Sequence, residues 1–391
     1  MKRFSAQYII TNYSPPLKRA VITTEDDGTI ISIANTEGDL KEMHSLEFYN
    51  GIIIPGFVNC HCHLELSHLK GTITQGGGLG NFLGNIRNTR ENNSETIVAS
   101  ALSADNDMCT EGTVLCADIC NTSDTFNIKK NSSIKYINLL EVFGIDPDKA
   151  NLRMDEIIEV AVTAGEMNLP FYLVPHTAYT MSLTLFRLLR ESRETNIITS
   201  MHFMETPGEK AFLENHSGPL MDSFKQSGLI PPRLETVKSH VDAVVNEITP
   251  AGNLILVHNT FADKETIRSI KKRGNIFWCL CPNSNIFIEK KIPPLSLFLE
   301  EGCEIVIGTD SLASNNNLDI LEELKTLQLN FPALSIEELI CWATLNGAKA
   351  LGEEKRFGTI EPGRKPGLLL LQNVDLLNMK LQPDSFATRL I

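Results

Sequence analysis

Read as apolar against polar positions, the middle of the chain repeats one unit. The segments GIIIPGFVNCHCH, TVLCADI, KYINLLEVFG, FYLVPHTA, NIITSMHFMET, LILVHNT, NIFWCLCPNSN and EIVIGTDS are apolar runs, and most are followed by longer stretches with helical spacing. MDEIIEVAVTAGEMN is one such stretch, and DKETIRSIKKRG is another that closes on a glycine. Short apolar runs bounded by Gly and Pro read as strands buried on both faces, and GIIIPGFV reads as one of them, continuing toward residue 63. Eight strand and helix units predict an α/β fold, a TIM (β/α)8 barrel. A doubly wound open sheet is the competing architecture, but its Gly-rich dinucleotide fingerprint does not follow the first strand. The ends differ from the middle. Residues 1–54 carry short alternating runs (YIITNY, AVITTE, TIISIA) between Pro, Asp-Gly and Asn turns, and residues 358–391 (GTIEPGRKPGLLLLQNVD) share that character. Both ends are therefore expected to complete one small composite β-sandwich beside a barrel spanning 55–357.

With 391 residues, 42% of them hydrophobic, the chain can fill a large core. A net charge of −13 and a pI near 5.2, with no basic run longer than KKR at 271–273, argue against nucleic acid or an anionic membrane as partner. The expected partner is a small-molecule substrate. MKRFSAQYIITNYSPPLK lacks the continuous apolar segment of a secretion signal, and no later stretch reaches the roughly 18 apolar residues of a membrane span, so a cytoplasmic protein is expected. Nine cysteines, an odd number spread along the chain, read as reduced thiols.

Barrel enzymes carry their chemistry at the C-terminal ends of the strands. Here those ends supply His61 and His63, His176, His202 and Glu205, His258, and Asp310. Because strand side chains alternate, His61 and His63 share one face while Cys60 and Cys62 share the other, so one mononuclear site can use either pair. Three imidazoles and one carboxylate suit a divalent ion of the zinc or iron type with a position left for water. On that choice Cys60 and Cys62 pack as small apolar residues, as do Cys279 and Cys281.

The motifs GFVNCHCHLELSHLKG, VPHTAYTMS, HFMET, VHNTF, CPNSN, IGTDS and NGAKALG with GTIEPGRKPG, taken in order, resemble those of the amidohydrolase superfamily. The resemblance is to its cytosine, guanine and S-adenosylhomocysteine deaminase and chlorohydrolase branch, and it covers about residues 52–367. It implies a distorted TIM barrel with a composite β-sandwich and one divalent metal ion, Zn2+ first, with Fe2+ or Mn2+ as alternatives. His61, His63, His202 and Asp310 would be the ligands, with Glu205 and His258 as catalytic partners, and relatives are often dimers, so a homodimer is expected. Two-metal members use a carboxylated lysine at the end of strand 4, where this chain has VPHTAYT. KPGLLLL departs from the family's usual Ala-Asp before the final strand, outside the chemistry.

HLELSHL and CPNSN look most like the aminodeoxyfutalosine deaminase group, which acts on an adenine nucleoside derivative in menaquinone synthesis. The expected reaction is release of ammonia from an amino-substituted heterocycle of that type. Asp310 takes the proton of water, Glu205 protonates the ring nitrogen, and His258 orients the added oxygen. His176 is expected to touch substrate, and so are Glu65, reaching a ribose hydroxyl or another polar group, and His68. TQGGGLGNFLGNIR lacks the Gly-Lys-Ser/Thr ending of a phosphate loop, so 76–84 is expected to be a lid, with Arg87 and Arg90 as anion contacts. A hydrolase with another leaving group, such as halide from a triazine, a guanine or cytosine deaminase, or a ring-opening amidase, would share the same residues. A metal-binding protein without catalysis is disfavoured because both Glu205 and Asp310 are present.

Overall fold

The computed structural model describes residues 1–89, 93–192, 196–248 and 252–391. The turn-rich N-terminus forms β1 (Lys2–Ile9), β2 (Leu17–Lys18), β3 (Val21–Thr24), β4 (Ile30–Ala34) and β5 (Leu46–Pro55). The apolar run that reads as a single strand is two strands. Ile52, Ile53 and Ile54 stay in β5, and β6 (Phe57–Cys62) starts beyond Gly56. A side chain at Gly56 would have its Cβ 2.4 Å from Val114 Cγ1 and 2.8 Å from the Pro366 carbonyl, so the chain passes between the two bodies only as glycine.

Seven more parallel strands follow: β7 (Thr113–Cys120), β8 (Lys135–Val142), β9 (Phe171–Pro175), β10 (Ile198–Phe203), β11 (Asn253–His258), β12 (Ile276–Leu280) and β13 (Glu304–Ile307). They hydrogen-bond as two four-stranded sheets, β6-β7-β8-β9 and β10-β11-β12-β13. Isolated parallel bridges, Thr177 to His202 and Cys62 to Asp310, close the ring at its two seams. At the second seam the Thr309 and Asp310 amides both donate to the His61 carbonyl at 3.0 Å, and Asn59 Nδ2 donates to Thr309 Oγ1 at 2.8 Å. The barrel is therefore distorted, with bridges where full ladders would run. All eight residues of β7 are buried, and so are all six of β6 and β10. Burial on both faces is why these strands read as unbroken apolar runs.

Helices cover the outside, among them Ala150–Glu166, Lys264–Lys271 and Ile320–Asn330. Among the described residues, no helix is long and apolar enough to cross a membrane.

The C-terminal strands β14 (Leu368–Gln372) and β15 (Phe386–Arg389) join the N-terminal ones in a single seven-stranded sheet, order β15-β14-β5-β1-β3-β4 with β2 on β1. Both chain ends thus build one body. Its ladders shift register between Ala6 and Tyr8 and between Thr23 and Thr24, and the Ile30 amide reaches the Arg364 carbonyl while the Gly363 amide reaches the Ile30 carbonyl, both at 2.8 Å. Leu368 and Leu370 face the sheet's own core with Phe4, Ile22 and Ile53, while Leu369 and Leu371 face the opposite way into the large core that includes Ile52 and Ile54.

Candidate metal centre

His61 belongs to β6, whereas His63 (φ −127°, ψ 76°) is the first residue beyond it and leads into the 3-10 helix Leu64–Leu69. Strand alternation still brings both rings to one side. His63 Nε2 lies 3.2 Å from His61 Nε2 and 3.3 Å from His202 Nε2, and Asp310 Oδ1 lies 3.6 Å from His61 Nε2 and 3.5 Å from His63 Nε2. All four residues are buried. Cys60 and Cys62 are fully buried in separate apolar clusters, and burial pushes the Cys60 thiol well above its ordinary value.

Asp310 is aimed by its neighbours. Ser284 Oγ at 2.6 Å and Ser314 Oγ at 2.7 Å donate to Oδ2, which leaves Oδ1 on the histidine side. Ser284 comes from CPNSN, the start of the helix Pro282–Glu289. Asn285, from the same motif, donates to Thr260 Oγ1 at 2.5 Å and lies 3.4 Å from His258 Nδ1. The motif therefore sets both Asp310 and His258.

The donor set fits a divalent cation. Burial holds His63 down to about 3 and lowers His61 as well, so both present neutral imidazole lone pairs. Burial opposes the charge on Asp310, but the contact with His61 and the nearby His63 and His258 rings hold its carboxyl well below the usual range. Burial likewise opposes protonation of His202, but the adjoining Glu141 carboxylate outweighs it and pushes His202 up to about 9. Several lone pairs aimed at one point away from water are costly unless something accepts them. An ion with nitrogen and oxygen preference would do so, in place of the His202 proton.

His258 adjoins this cluster, with a ring nitrogen within 4.8 Å of those of His61 and His202; its ring is 5.6 Å from that of His61, and its Nε2 is 3.7 Å from Glu205 Oε1. Burial holds His258 well below its ordinary value. It also raises Glu205 well above the carboxylate range; Asp310 and Glu209 add to the effect, and His202 opposes it. The chain turns out of β10 at Met204 (φ 48°), which carries Glu205 off the strand and away from the ligand atoms. His176 follows β9, with Nδ1 2.9 Å from Thr180 Oγ1 and its ring 4.8 Å from that of His202.

These groups floor a cavity of about 890 Å³. His63, His176, His202, Glu205, His258 and Asp310 line its inner end, and Phe82, Phe143, Phe224 and Pro231 are among the apolar walls. Arg87 lines it too, as an exposed residue. Arg90 lies outside the described residues. The glycine-rich 76–84 segment is not a loop throughout: Gly78–Thr89 is a helix, with Leu79, Phe82, Leu83 and Ile86 on the cavity. Glu65 and His68 do not figure among the described residues lining the cavity. The chain leaves the strand as a 3-10 turn, and Glu65 Oε2 instead accepts from the Asn121 and Thr122 amides at 3.1 Å.

Two buried carboxylates of the centre escape a reading by strand ends. Glu141, near the end of β8, brings Oε1 to 3.3 Å from His202 Nδ1, too poorly aligned for a hydrogen bond but close enough to act on its charge. A lone Glu inside the apolar run KYINLLEV is the available signal. Glu209 touches the backbone of Glu205, and its signal is the T-x-x-E spacing of TPGE at 206–209.

The model of the amidohydrolase family matches residues 52–387. Adenosine deaminase of Helicobacter pylori is 27% identical over 330 residues, 82% of this chain and 79% of that protein. The 5'-deoxyadenosine deaminase of Methanobrevibacter smithii is 28% identical over 355 residues, 86% and 75% of the two chains. Among solved structures, Helicobacter pylori aminofutalosine deaminase in complex with methylthio-coformycin superposes with a TM-score of 0.79 at 23% identity, covering 95% of this chain and 92% of that one.

Proposed function

The chain belongs to the amidohydrolase family, and from that premise we propose that it is a metal-dependent hydrolytic deaminase releasing ammonia from an adenine nucleoside derivative. The observation that carries this is Glu205, a carboxyl that burial raises well above the usual range, at the edge of the ligand cluster and 3.7 Å from His258. The nucleoside deaminases among its relatives support the choice of substrate class.

His61, His63, His202 and Asp310 hold the ion, which we assign as Zn2+ from its mixed imidazole and carboxylate donors. When bound, it supplies the Lewis acidity that lets water act as a nucleophile near neutral pH. Glu205 gives its proton to the ring nitrogen beside the amino-bearing carbon, which makes that carbon electrophilic. Asp310, held ionised, takes a proton from the attacking water as the new C–O bond forms. His258 hydrogen-bonds the oxygen that has added to the ring. The Glu205 carboxylate then takes the proton of the added hydroxyl and hands it to the amino group, the C–N bond breaks and ammonia leaves, and the proton held by Asp310 passes to Glu205, which resets both groups. His176 contacts the substrate, and the apolar walls exclude water from it.

Ammonia release by the metal-loaded protein tests this, with adenosine, 5'-deoxyadenosine, 5'-methylthioadenosine, S-adenosylhomocysteine and aminodeoxyfutalosine as candidates and guanine, cytosine and amino-triazines as controls. Turnover of one or more adenine nucleosides is expected. Activity confined to a triazine or pyrimidine overturns the substrate class, and no ammonia from any of them overturns the deaminase reading.

A further inference from the structure

Behind the turn that carries Glu205 lies a second buried acid. Glu209 is 1% exposed and belongs to the helix Gly208–Asn215. One carboxylate oxygen, Oε1, accepts from the Glu205 amide at 2.7 Å and from the Thr206 amide at 3.0 Å. The other, Oε2, meets His240 Nε2 at 2.7 Å. His240 is 5% exposed, and its ring packs at 5.2 Å against Phe203, the last residue of β10. The three contacts fix the acid at both ends, just past the left-handed Met204.

We propose that Glu209, held by His240, is a positioning residue that aims the Glu205 carboxylate at the reacting ring. A capping box would account for the bond to Thr206, since a glutamate three residues into a helix commonly returns to that amide. It does not account for the second bond, to the amide of Glu205 itself, nor for a histidine committed to the far oxygen. A buried carboxylate is tolerated only when its acceptor sites are engaged, and here they are engaged on the backbone of the proton carrier. That backbone turns sharply immediately before Glu205, where the Phe261 amide holds the Met204 carbonyl at 2.9 Å and the two Glu209 bonds hold the amides that follow. His240 arrives from the stretch that follows Leu229, Ile230, Pro231 and Pro232, four residues of the cavity wall.

The inference rests on Glu205 as proton carrier, and a double-mutant cycle on the metal-loaded protein tests it. Misplacing a reacting group by an ångström costs up to about a hundredfold, so Glu209→Ala is expected to lower kcat about 10- to 100-fold, with metal content unchanged and KM within about threefold. Glu209→Gln keeps an acceptor for both amides and is expected to restore most of the rate. In a Glu205→Gln background, Glu209→Ala is expected to cost less than about threefold more, because the group it aims has already lost its function. A purely capping role gives the same fractional loss in both backgrounds, in step with the melting temperature, and that result overturns the proposal. Should Glu209→Ala not fold, His240→Phe retains the packing on Phe203 and removes the bond to Oε2; a fall of about three- to tenfold with the same non-additivity is then expected. A crystal structure of the Glu209 variant supplies the readout that does not depend on turnover. Glu205 displaced from His258 supports the inference even if no nucleoside is deaminated, a result that would instead overturn the proposed function. Glu205 still 3.7 Å from His258 Nε2 overturns the inference.

Discussion

Glu205 sits within reach of His258 but belongs to none of the described side-chain groups placed to hold an ion, and that makes its role measurable. Glu205→Gln keeps the shape and loses the exchangeable acid. General acid–base groups contribute about 10²–10⁴-fold, roughly 3–5 kcal/mol of barrier. The variant is expected to keep its metal and near-native KM while kcat falls at least about a hundredfold. An unchanged single-turnover rate with a lower melting temperature would leave Glu205 a brace for its loop. His61 and Cys62, adjacent in sequence, make the complementary pair. His61→Ala is expected to weaken metal binding by more than about a hundredfold in chelator competition, while Cys62→Ser leaves it nearly unchanged. Equal losses in the two variants would put the thiol in the ligand set. That the histidines and Asp310 come together is legible in the sequence, because strand alternation and strand ends are local properties. Glu141 and Glu209 are not legible there, since what makes each matter is a partner far along the chain, His202 or His240. Glu65 lies on the 3-10 turn that LELSH forms, which brings its carboxylate to the amides of residues 121 and 122, a placement that the pattern of strand ends does not supply.

Elements were legible where burial is symmetrical. LILVH and TVLCADI are covered on both faces and announce themselves as strands, whereas GIIIPGFV is two strands in different bodies that share one apolar composition. In the glycine-rich stretch Leu79, Phe82, Leu83 and Ile86 recur at helical spacing, with four glycines among residues 76–80 working against a helix. The helix is anchored by a contact no local reading supplies, the Leu79 amide donating to Glu289 Oε1 at 2.9 Å. The seam between β13 and β6 is where an element most directly controls the centre. A Cβ on Gly308 would stand 2.7 Å from His61 Cβ, 2.9 Å from Cys279 Sγ and 3.0 Å from the His61 amide nitrogen. None of these is the free end of a flexible side chain, so β6 itself must shift. Overpacking of this kind costs roughly 1–3 kcal/mol. Gly308→Ala is therefore expected to lower both melting temperature and metal affinity, and a variant unchanged in both would mean that the seam yields without moving His61.

Across the whole molecule the barrel and the terminal sheet share their cores and the chain between them. β5 passes into β6 through Gly56 alone, and the Gly56 amide lies 3.2 Å from the Pro366 carbonyl at the other chain end. Leu369 and Leu371 on β14, with Ile52 and Ile54 on β5, are buried in the same cluster as Leu140, Phe203 and Trp278 from the barrel. Unfolding the sheet alone would expose that surface, at about 25 cal/mol for each Å² of apolar area, while its own core of Phe4, Ile22, Ile53 and Leu368 was lost as well. The proposed ligands would add a second tie, because His61 and His63 lie in and just after β6, the strand that follows β5, while Asp310 and His202 come from the other half of the barrel. A cation bound only by the folded chain at about 100 times its dissociation constant stabilises it by about 2.7 kcal/mol. Calorimetry of the metal-loaded protein is therefore expected to show one transition that moves down as a whole when a chelator removes the ion and returns when the ion is restored. Two transitions, of which only one responds to the chelator, would show that the terminal sheet holds itself together independently of the barrel, and the shared core would then be a contact between separately stable units.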